Sequence, residues 1–240
     1  AGVPGTATDV VIDGKTVTLD VPLLASVKSV TLANAAKLIL FGKGTAIDSI
    51  APVDNSVAWR SGLGLSVVGD VTLNNASFIT LGGLNATYQP TLTIGGNLTF
   101  NATAKMAVYA GGFEAHDDWT VFPGDGAAVT VGGCLAMSGT GNWIYPYAHY
   151  VYGETPRFVV SNDVTIAANC GFDANAKGWR LPAGFGYYNE PSVEGDGGWY
   201  GGQGGWYNSK NNPGDRRYGY RFAPFWPGSP GQKGSAALNP

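Results

Sequence analysis

The nine residues VTLNNASFI, from Val71 to Ile79, decide the fold because the chain repeats their pattern four more times. The copies begin at Val30, Leu98, Leu135 and Val164. Each copy starts with two apolar residues around a threonine, or around an alanine in one copy. A small residue and a closing apolar residue follow. Alternation of apolar and polar residues predicts strands that bury one face.

A second alternating run precedes four of the five copies. A glycine or asparagine, followed by one further residue, joins each of these runs to its copy. A unit this short cannot bury its own apolar face, so the copies must stack on one another. The joining glycine or asparagine permits the sharp corner that stacking requires. The small position holds Ala36, Ser77, Ala104, Gly141 and Cys170, and the closing position holds Leu38, Ile79, Met106, Trp143 and Phe172.

We therefore expect an all-β chain in which parallel strands stack as a β-solenoid. The module would supply two sides of each coil, and the variable connection would supply the third side and the loops. Equivalent side chains would form one internal ladder of Leu32, Leu73, Phe100, Met137 and Ile166. An antiparallel sandwich also has regularly spaced strands and is the alternative. No window has the apolar period of a helix, so almost no helix is expected.

Residues 2–20, GVPGTATDVVIDGKTVTLD, and the following VKSVTLANAAKLIL resemble the first coils of a known family. This family comprises the pectin-lyase-like right-handed parallel β-helix domains of large bacterial secreted and surface proteins. The later YGGQGGWY and YGYRFAPFWPGS resemble a glycine-rich motif of similar proteins. The resemblance implies a right-handed parallel β-helix. Because such proteins continue beyond this motif, it also implies that the chain is part of a longer protein.

The repeats divide the chain into two regions. Residues 1–176 are predicted to form the β-helix coils. Residues 177–240 are rich in glycine and aromatic residues, and we expect them to form an irregular segment packed on the helix end or flank as a cap. The two long connections, residues 39–64 and 107–128, are expected to project from the stack, where function tends to lie.

Composition limits the partners. The net charge is −3, charged residues make up only 13% of the chain, and there is no basic run. We therefore expect neither nucleic acid nor an anionic membrane as a partner. No apolar run has the length of a transmembrane helix. Few charges, many aromatics and an Ala-Gly start without Met indicate a processed extracellular or cell-surface protein.

The densest set of ionisable groups lies in the second long connection, in FEAHDDWTVFPGD. Glu114, Asp117, Asp118 and Asp125 are candidate calcium ligands, because carboxylate oxygens suit this cation. Apart from this candidate calcium, no cofactor is expected. The acids could also serve in polysaccharide cleavage, with Asp117, Asp118, His149 and Arg157 as the catalytic set. The simpler interpretation is a solvated loop tip with an aspartate turn.

An aromatic row follows in WIYPYAHYVYGETPR, residues 143–157. Aromatic faces stack on sugar rings, so an exposed row would bind a glycan. Alternatively, Trp143 belongs to the core and the remaining rings pack on the glycine-rich tail. The carbohydrate-binding candidates are Trp119, Tyr145, Tyr147, Tyr150 and Tyr152.

The two cysteines are not expected to form a disulfide. Cys134 occupies a corner position, and the residue next to it in the following copy is Asp163. Cys170 lies seven residues beyond Asp163 along the coil. This separation exceeds the reach of a bridge. Cys170 should be a small buried residue.

Three functions remain open. The preferred one is a non-catalytic structural or adhesive domain of an extracellular or cell-surface bacterial protein, with a polysaccharide or surface glycan as a candidate partner. A polysaccharide lyase or glycoside hydrolase acting from the side loops is the alternative, since the resembled fold hosts many such enzymes. A subunit that stacks end to end in an extracellular filament is the third.

Overall fold

The computed structural model describes residues 4–19, 24–44, 46–52, 63–84, 86–112, 125–149, 154–175 and 177–178. These residues form nineteen strands and one short 3-10 turn, Ile47–Ser49, but no α-helix. The expectation of an all-β chain is confirmed for this part of the molecule. None of its elements is a helix with the length and apolar character needed to span a membrane.

Seventeen of the strands belong to three parallel sheets. Sheet A contains β1 (Asp9–Asp13), β4 (Ser29–Ala33), β9 (Val71–Leu73), β12 (Leu98–Asn101), β15 (Leu135–Ser138) and β18 (Val164–Ile166). Sheet B contains β2 (Thr16–Leu19), β5 (Lys37–Leu40), β10 (Phe78–Leu81), β13 (Lys105–Tyr109), β16 (Trp143–Tyr147) and β19 (Gly171–Phe172). Sheet C contains β3 (Leu24–Val27), β8 (Gly64–Val67), β11 (Thr91–Ile94), β14 (Asp125–Val131) and β17 (Thr155–Val160). A separate antiparallel pair joins β6 (Gly42–Lys43) to β7 (Ala51–Pro52).

The chain visits the three sheets in a constant order, A then B then C, and each return to a sheet adds a strand beside the previous one. Every pairing within these sheets is parallel, so the antiparallel sandwich is wrong. The run that precedes each copy forms sheet C, its opening apolar residues form sheet A, and its closing residue enters sheet B. Sheet B thus starts inside the repeated pattern and extends into the variable connection.

The predicted internal ladder is present. Leu32 pairs with Leu73, and Phe100 pairs with both Leu73 and Met137. Met137 pairs with Ile166, and Ile12 extends the ladder at its other end. The members between the ends are buried, whereas Ile166 in the last strand of sheet A is 43% exposed. Because each ladder residue packs between equivalents, the apolar core runs continuously along the stack.

The register differs from the prediction at one corner. Ile144, not Trp143, occupies the closing position, where it pairs with Met106 and Phe172. The segment between β15 and β16 therefore contains one residue more than its counterparts. Trp143 pairs with Lys105 and is only partly buried, so its assignment to the core is wrong.

The same shift puts Asn142, not Gly141, in the small position. Asn142 is fully buried and compensates for the additional residue through its amide. Its Oδ1 accepts a hydrogen bond of 2.8 Å from the N–H of Ala104, and its Nδ2 donates one of 2.6 Å to the carbonyl of Ser138. A buried polar group is tolerated when it is hydrogen-bonded in this way.

At the corners between sheets A and B, pairs of residues adopt the left-handed backbone conformation. Asn34 and Ala35, Asn75 and Ala76, and Ala102 and Thr103 all have positive φ between 50° and 67°. Their amides also connect neighbouring repeats, as in the bond from Ala35 N–H to the Asn75 carbonyl (2.8 Å). The conformation is costly for residues other than glycine and asparagine. These inter-repeat bonds help to hold the chain in it.

Corners between sheets C and A form a second hydrogen-bonded line along the stack. Gly69 donates to Lys28, Gly96 to Gly69, and Gly133 to Gly96, at 2.7 to 2.9 Å. At Gly132 a Cβ atom would lie 2.6 Å from the carbonyl oxygen of Gly95, so the close approach of these corners requires glycine.

Sheet B is buried on both faces in its middle strands, which the sequence did not predict. A second apolar cluster on its outer face contains Ile39, Phe78, Ala107, Tyr109 and Tyr147, together with Ile50. Ile50 comes from the segment 46–52, which packs back against the sheet. The described part of the first long connection therefore covers the stack and does not project from it.

Both cysteines are free and partly buried. The expected corner position of Cys134 follows from the register, because Leu135, the next residue, pairs with Leu98 and Val164. Cys170 packs against the main core, and its Sγ lies 3.5 Å from Nδ2 of Asn142.

Candidate functional site

The connections from sheet B to sheet C leave the stack along one edge. Those after β13 and β16 include residues 113–124 and 150–153, which lie outside the described residues. Gln89, Tyr109, Tyr147, His149 and Glu154 lie beside or between these connections, and we call them the loop-base cluster. Loops on a rigid scaffold are the usual location of binding residues, so this cluster is the candidate site.

His149 and Glu154 stand at the two ends of the connection between β16 and β17. The N–H of His149 donates to the carbonyl of Glu154 at 2.8 Å. Both residues are only 3% exposed, which is unusual for ionisable groups. Gln89, from the connection before β11, donates from Nε2 to Oε1 of Glu154 at 3.4 Å. The backbone thus holds an imidazole and a carboxyl group close to one loop.

A glycine makes room for Glu154 beside sheet C. A Cβ atom on Gly126 would lie 2.8 Å from the Cβ of Glu154 and 2.5 Å from that of Ala110. Gly126 belongs to β14, which pairs with β17 immediately after Glu154. The absence of a side chain at Gly126 leaves space for the buried Glu154 side chain beside β14.

The aromatic members of the site pack on one another. Tyr109 and Tyr147 are paired residues of β13 and β16, and their rings stack with centroids 4.4 Å apart. The ammonium group of Lys177 lies 5.0 Å from the Tyr147 ring centroid and 5.2 Å from that of Tyr145. These distances are within the range of cation–π attraction. The stacked faces of Tyr109 and Tyr147 are therefore already in contact, whereas the ring of Tyr145 contacts Lys177 on one face.

The predicted carbohydrate-binding residues are therefore in different situations. Tyr147 is 5% exposed, and Tyr145 is partly buried beneath Lys177. Trp119, Tyr150 and Tyr152 lie outside the described residues. The described rings do not form an open row, and the sugar-binding assignment stays a prediction.

The predicted catalytic and calcium residues are only partly covered. Arg157 is exposed on β17, whereas His149 is buried at the start of the preceding connection. Glu114, Asp117 and Asp118 lie outside the described residues, and for Asp125 only the backbone at the start of β14 is described. Within the described ranges, no group of three or more His, Cys, Asp or Glu residues could hold a metal ion. The calcium assignment therefore stays a prediction.

Sequence reasoning missed Glu154, Gln89, Tyr109 and Lys177. A usable signal existed for the first two, because each is a polar residue close to a proline shortly before a strand of sheet C. Aligning the residues before these strands would have placed them within one residue of the same position, two repeats apart. Lys177 offered no such signal, since its contacts depend on how the chain returns after β19.

A comparison of the chain with protein-family models, with curated proteins and with solved structures found no match.

Proposed function

We propose that this chain is a non-catalytic structural or adhesive domain of an extracellular or cell-surface bacterial protein, built as a right-handed parallel β-helix. The observation that carries the proposal is the constant order of the three parallel sheets, with equivalent residues paired from repeat to repeat. Parallel strands linked through successive sheets are almost always right-handed, which supports the handedness.

Such a stack is suited to holding loops at fixed positions. Backbone hydrogen bonds run along its length at two corners, and an apolar core fills its interior. Side chains add to these lines, as where Asn101 Nδ2 donates to Oδ1 of Asn74 at 2.9 Å. Each repeat is thereby fixed relative to its neighbours. The connections on the B-to-C edge can vary while the scaffold stays the same.

The partner that we propose is a polysaccharide or surface glycan bound at this edge. Tyr145 supports the proposal, because its partly buried ring lies in the strand that leads to the 150–153 connection. Lys177 above the ring supplies a cation beside the apolar face. This pairing suits an acidic sugar.

A glycan array tests this proposal. We expect the wild-type protein to bind acidic glycans, and we expect Tyr145→Ala to reduce this binding about five- to thirtyfold, since stacking and cation–π contacts together contribute about 1–2 kcal/mol. Thr99→Ala, on the outer face of sheet A, is the matched control. If the protein binds no glycan, a purely structural role is left. If Tyr145→Ala binds as well as the wild type, the glycan does not bind at Tyr145.

A polysaccharide lyase or hydrolase is the second candidate, and the buried His149–Glu154 arrangement favours it. A histidine and a carboxyl group near one another can divide the roles of base and acid. Incubation with acidic and neutral polysaccharides, followed by assay for new reducing ends and unsaturated products, tests this function. Activity that is lost in both His149→Ala and Glu154→Gln would replace the non-catalytic proposal.

A further inference from the structure

Strand β16 presents two aromatic side chains on the outer face of sheet B. Ile144 packs in the main core, so its neighbours Trp143 and Tyr145 lie on the opposite, outer face of the sheet. Both are only partly buried. Two residues along a parallel strand are about 6.6 Å apart. This strand therefore carries two partly exposed rings in line.

The Trp143 ring lies between a lysine and a glycine. Its lateral partners are Lys105 in β13 and Gly171 in β19. Cζ3 of the ring is 3.8 Å from the point that a Cβ atom on Gly171 would occupy, so the indole extends toward the backbone of β19. Lys105 is also partly buried and lies in the neighbouring strand, about 4.8 Å away. The stem of such a lysine lies along apolar surface and keeps its ammonium group in water.

Tyr145 has the same combination of a ring and a lysine. The ammonium group of Lys177 lies 5.2 Å from the centroid of its ring. A backbone hydrogen bond fixes Lys177 beside β16, because its carbonyl accepts the N–H of Ala148 at 2.8 Å. The acid of this part of the chain, Asp173, accepts the N–H of Asn175 at 3.0 Å. Strand β16 thus carries two successive units, each an aromatic ring with a lysine beside it.

The row of partly exposed rings stops after these two among the described residues. Tyr147, the next outward residue of β16, is 5% exposed and stacks on Tyr109. Across the strands, the partner of Lys105 in β10 is Phe78, which is 6% exposed. The two rings are therefore aligned along β16 and not across the sheet, which gives a ligand one direction.

We propose that Trp143 with Lys105, and Tyr145 with Lys177, are two adjacent subsites for an acidic polysaccharide that lies along β16. The inference rests on the glycan-binding function proposed above and adds a second subsite and an orientation. The C–H groups of each sugar unit pack on one ring, because the face of an aromatic ring is apolar and carries negative charge density. The carboxylate or sulfate group of the unit approaches the lysine beside that ring.

The two lysines decide the class of the ligand. The chain has only 14 lysine and arginine residues in 240 and a net charge of −3, so a lysine beside each of two successive rings is a local feature and not part of a basic surface. An anionic sugar is attracted by both ammonium groups, whereas a neutral sugar gains only from the rings. Charge complementarity of this kind favours one ligand class over another.

Oligosaccharides of increasing length test the number of subsites. Calorimetric titrations use two series, mannuronate oligomers with carboxylates and sulfated maltose oligomers with sulfates, and the series that binds identifies the acidic group. We expect the dimer to bind about five- to thirtyfold more tightly than the monomer, the factor for about 1–2 kcal/mol from a second ring and its lysine. The trimer should gain less than about threefold over the dimer.

Variants test the second subsite. Trp143→Ala should weaken binding of the dimer about five- to thirtyfold and nearly abolish its advantage over the monomer. Lys105→Gln should weaken it about two- to fivefold, as for an exposed ion pair, and should make binding less sensitive to salt. Lys37→Gln is the matched control, since Lys37 lies in the same sheet three strands from Trp143, about 14 Å away. Thermal melts verify that the variants are folded.

The outcomes separate this inference from the proposed function. If the dimer binds the wild type and is weakened by Tyr145→Ala but not by folded Trp143→Ala or Lys105→Gln, the second subsite is wrong and the glycan proposal stands. The same result is expected if another part of the chain covers the indole. Equal affinity for monomer and dimer would also overturn the second subsite. If no oligomer of either series binds, the inference falls, and the glycan array decides the proposed function separately.

Discussion

At the scale of single residues, the corners of the stack hold side chains in a backbone conformation that most residues avoid. Thr103 is the clearest case, because its φ is 67° and its side chain is branched at Cβ. Its N–H donates to the carbonyl of Thr140 at 3.1 Å, so this conformation allows a backbone hydrogen bond to the next repeat. The strain at this position can therefore be removed without loss of that bond.

We predict that Thr103→Gly stabilises the protein. Relief of the left-handed conformation gains about 1–2 kcal/mol. The greater freedom of glycine in the unfolded chain costs about 0.5–1 kcal/mol. The free energy of unfolding, measured by urea denaturation, should rise by up to about 1.5 kcal/mol from these two terms. Thr99→Gly in β12 is the control and should lower it, since Thr99 lies within a strand.

A second residue-scale prediction concerns the line of polar side chains at the C-to-A corners. Oδ1 of Asp70 accepts the N–H of Asn97 at 2.7 Å, and Oδ1 of Asn97 accepts that of Cys134 at 2.8 Å. A thiol is a weak acceptor, so Cys134 interrupts the line before Asp163. Cys134→Asn should restore this line of hydrogen bonds and raise the free energy of unfolding by about 0.5–1.5 kcal/mol. A higher urea midpoint would show the gain.

Cys134→Ala separates this effect from simple loss of the thiol. It has no acceptor and should leave the midpoint nearly unchanged. Equal stabilisation by both variants would show that the added amide does not bond to the Asp163 N–H.

At the scale of elements, position in the stack should decide the cost of a substitution. Phe100 and Ile166 occupy the same ladder, but Phe100 is fully buried in β12 and Ile166 lies in the last strand of sheet A. Phe100→Ala should lower the free energy of unfolding by about 3–5 kcal/mol, and Ile166→Ala by less than about 2 kcal/mol. Similar costs, measured by urea denaturation, would mean that the end of the stack is as well packed as its middle.

The elements also mark how far sequence reasoning could go. The ladder of five residues was predictable because inward side chains alternate with outward ones and strands stack at equivalent positions. The shift of the closing position from Trp143 to Ile144 was not predictable. The glycine-rich corner contains one additional residue, and its accommodation depends on the hydrogen bonds of Asn142. The outer cluster on sheet B escaped for a different reason. It depends on Ile50, which lies outside the repeated pattern.

The candidate site was predictable only in part. His149 could be found as one of two histidines in the chain. Its burial beside Glu154 could not, since burial of a polar side chain is decided by tertiary neighbours and not by a local pattern. Gln89 reaches Glu154 from a different repeat, and such a contact is visible only once the register is known.

At the scale of the whole molecule, the ion pairs of the described residues contribute little to holding the fold together. Within the described ranges the one salt bridge joins Lys28 Nζ to Asp9 Oδ2 at 2.8 Å, with both side chains more than half exposed. Hydrogen bonds from Lys28 and from Ser29 lower the pKa of Asp9. The pair therefore stabilises the folded protein at neutral pH and ceases to do so as the pH falls through the pKa of folded Asp9.

We therefore predict that salt has little effect on stability. The free energy of unfolding should change by less than about 1 kcal/mol between low salt and 1 M sodium chloride, the range of an exposed ion pair. Thermal melts at both concentrations measure it. A larger loss of stability at high salt would point to ionic contacts outside the described residues.

The unequal corners have a consequence for engineering. Both lines of corner hydrogen bonds link every repeat to the next, so a residue added at an A-to-B or C-to-A corner must be accommodated individually, as Asn142 accommodates one. The connections at the B-to-C edge differ more in length: residues 82–90 form one crossing and residues 148–154 another. Foreign peptides grafted there would be displayed in a row from a common scaffold, at the spacing of parallel strands, about 4.8 Å per repeat.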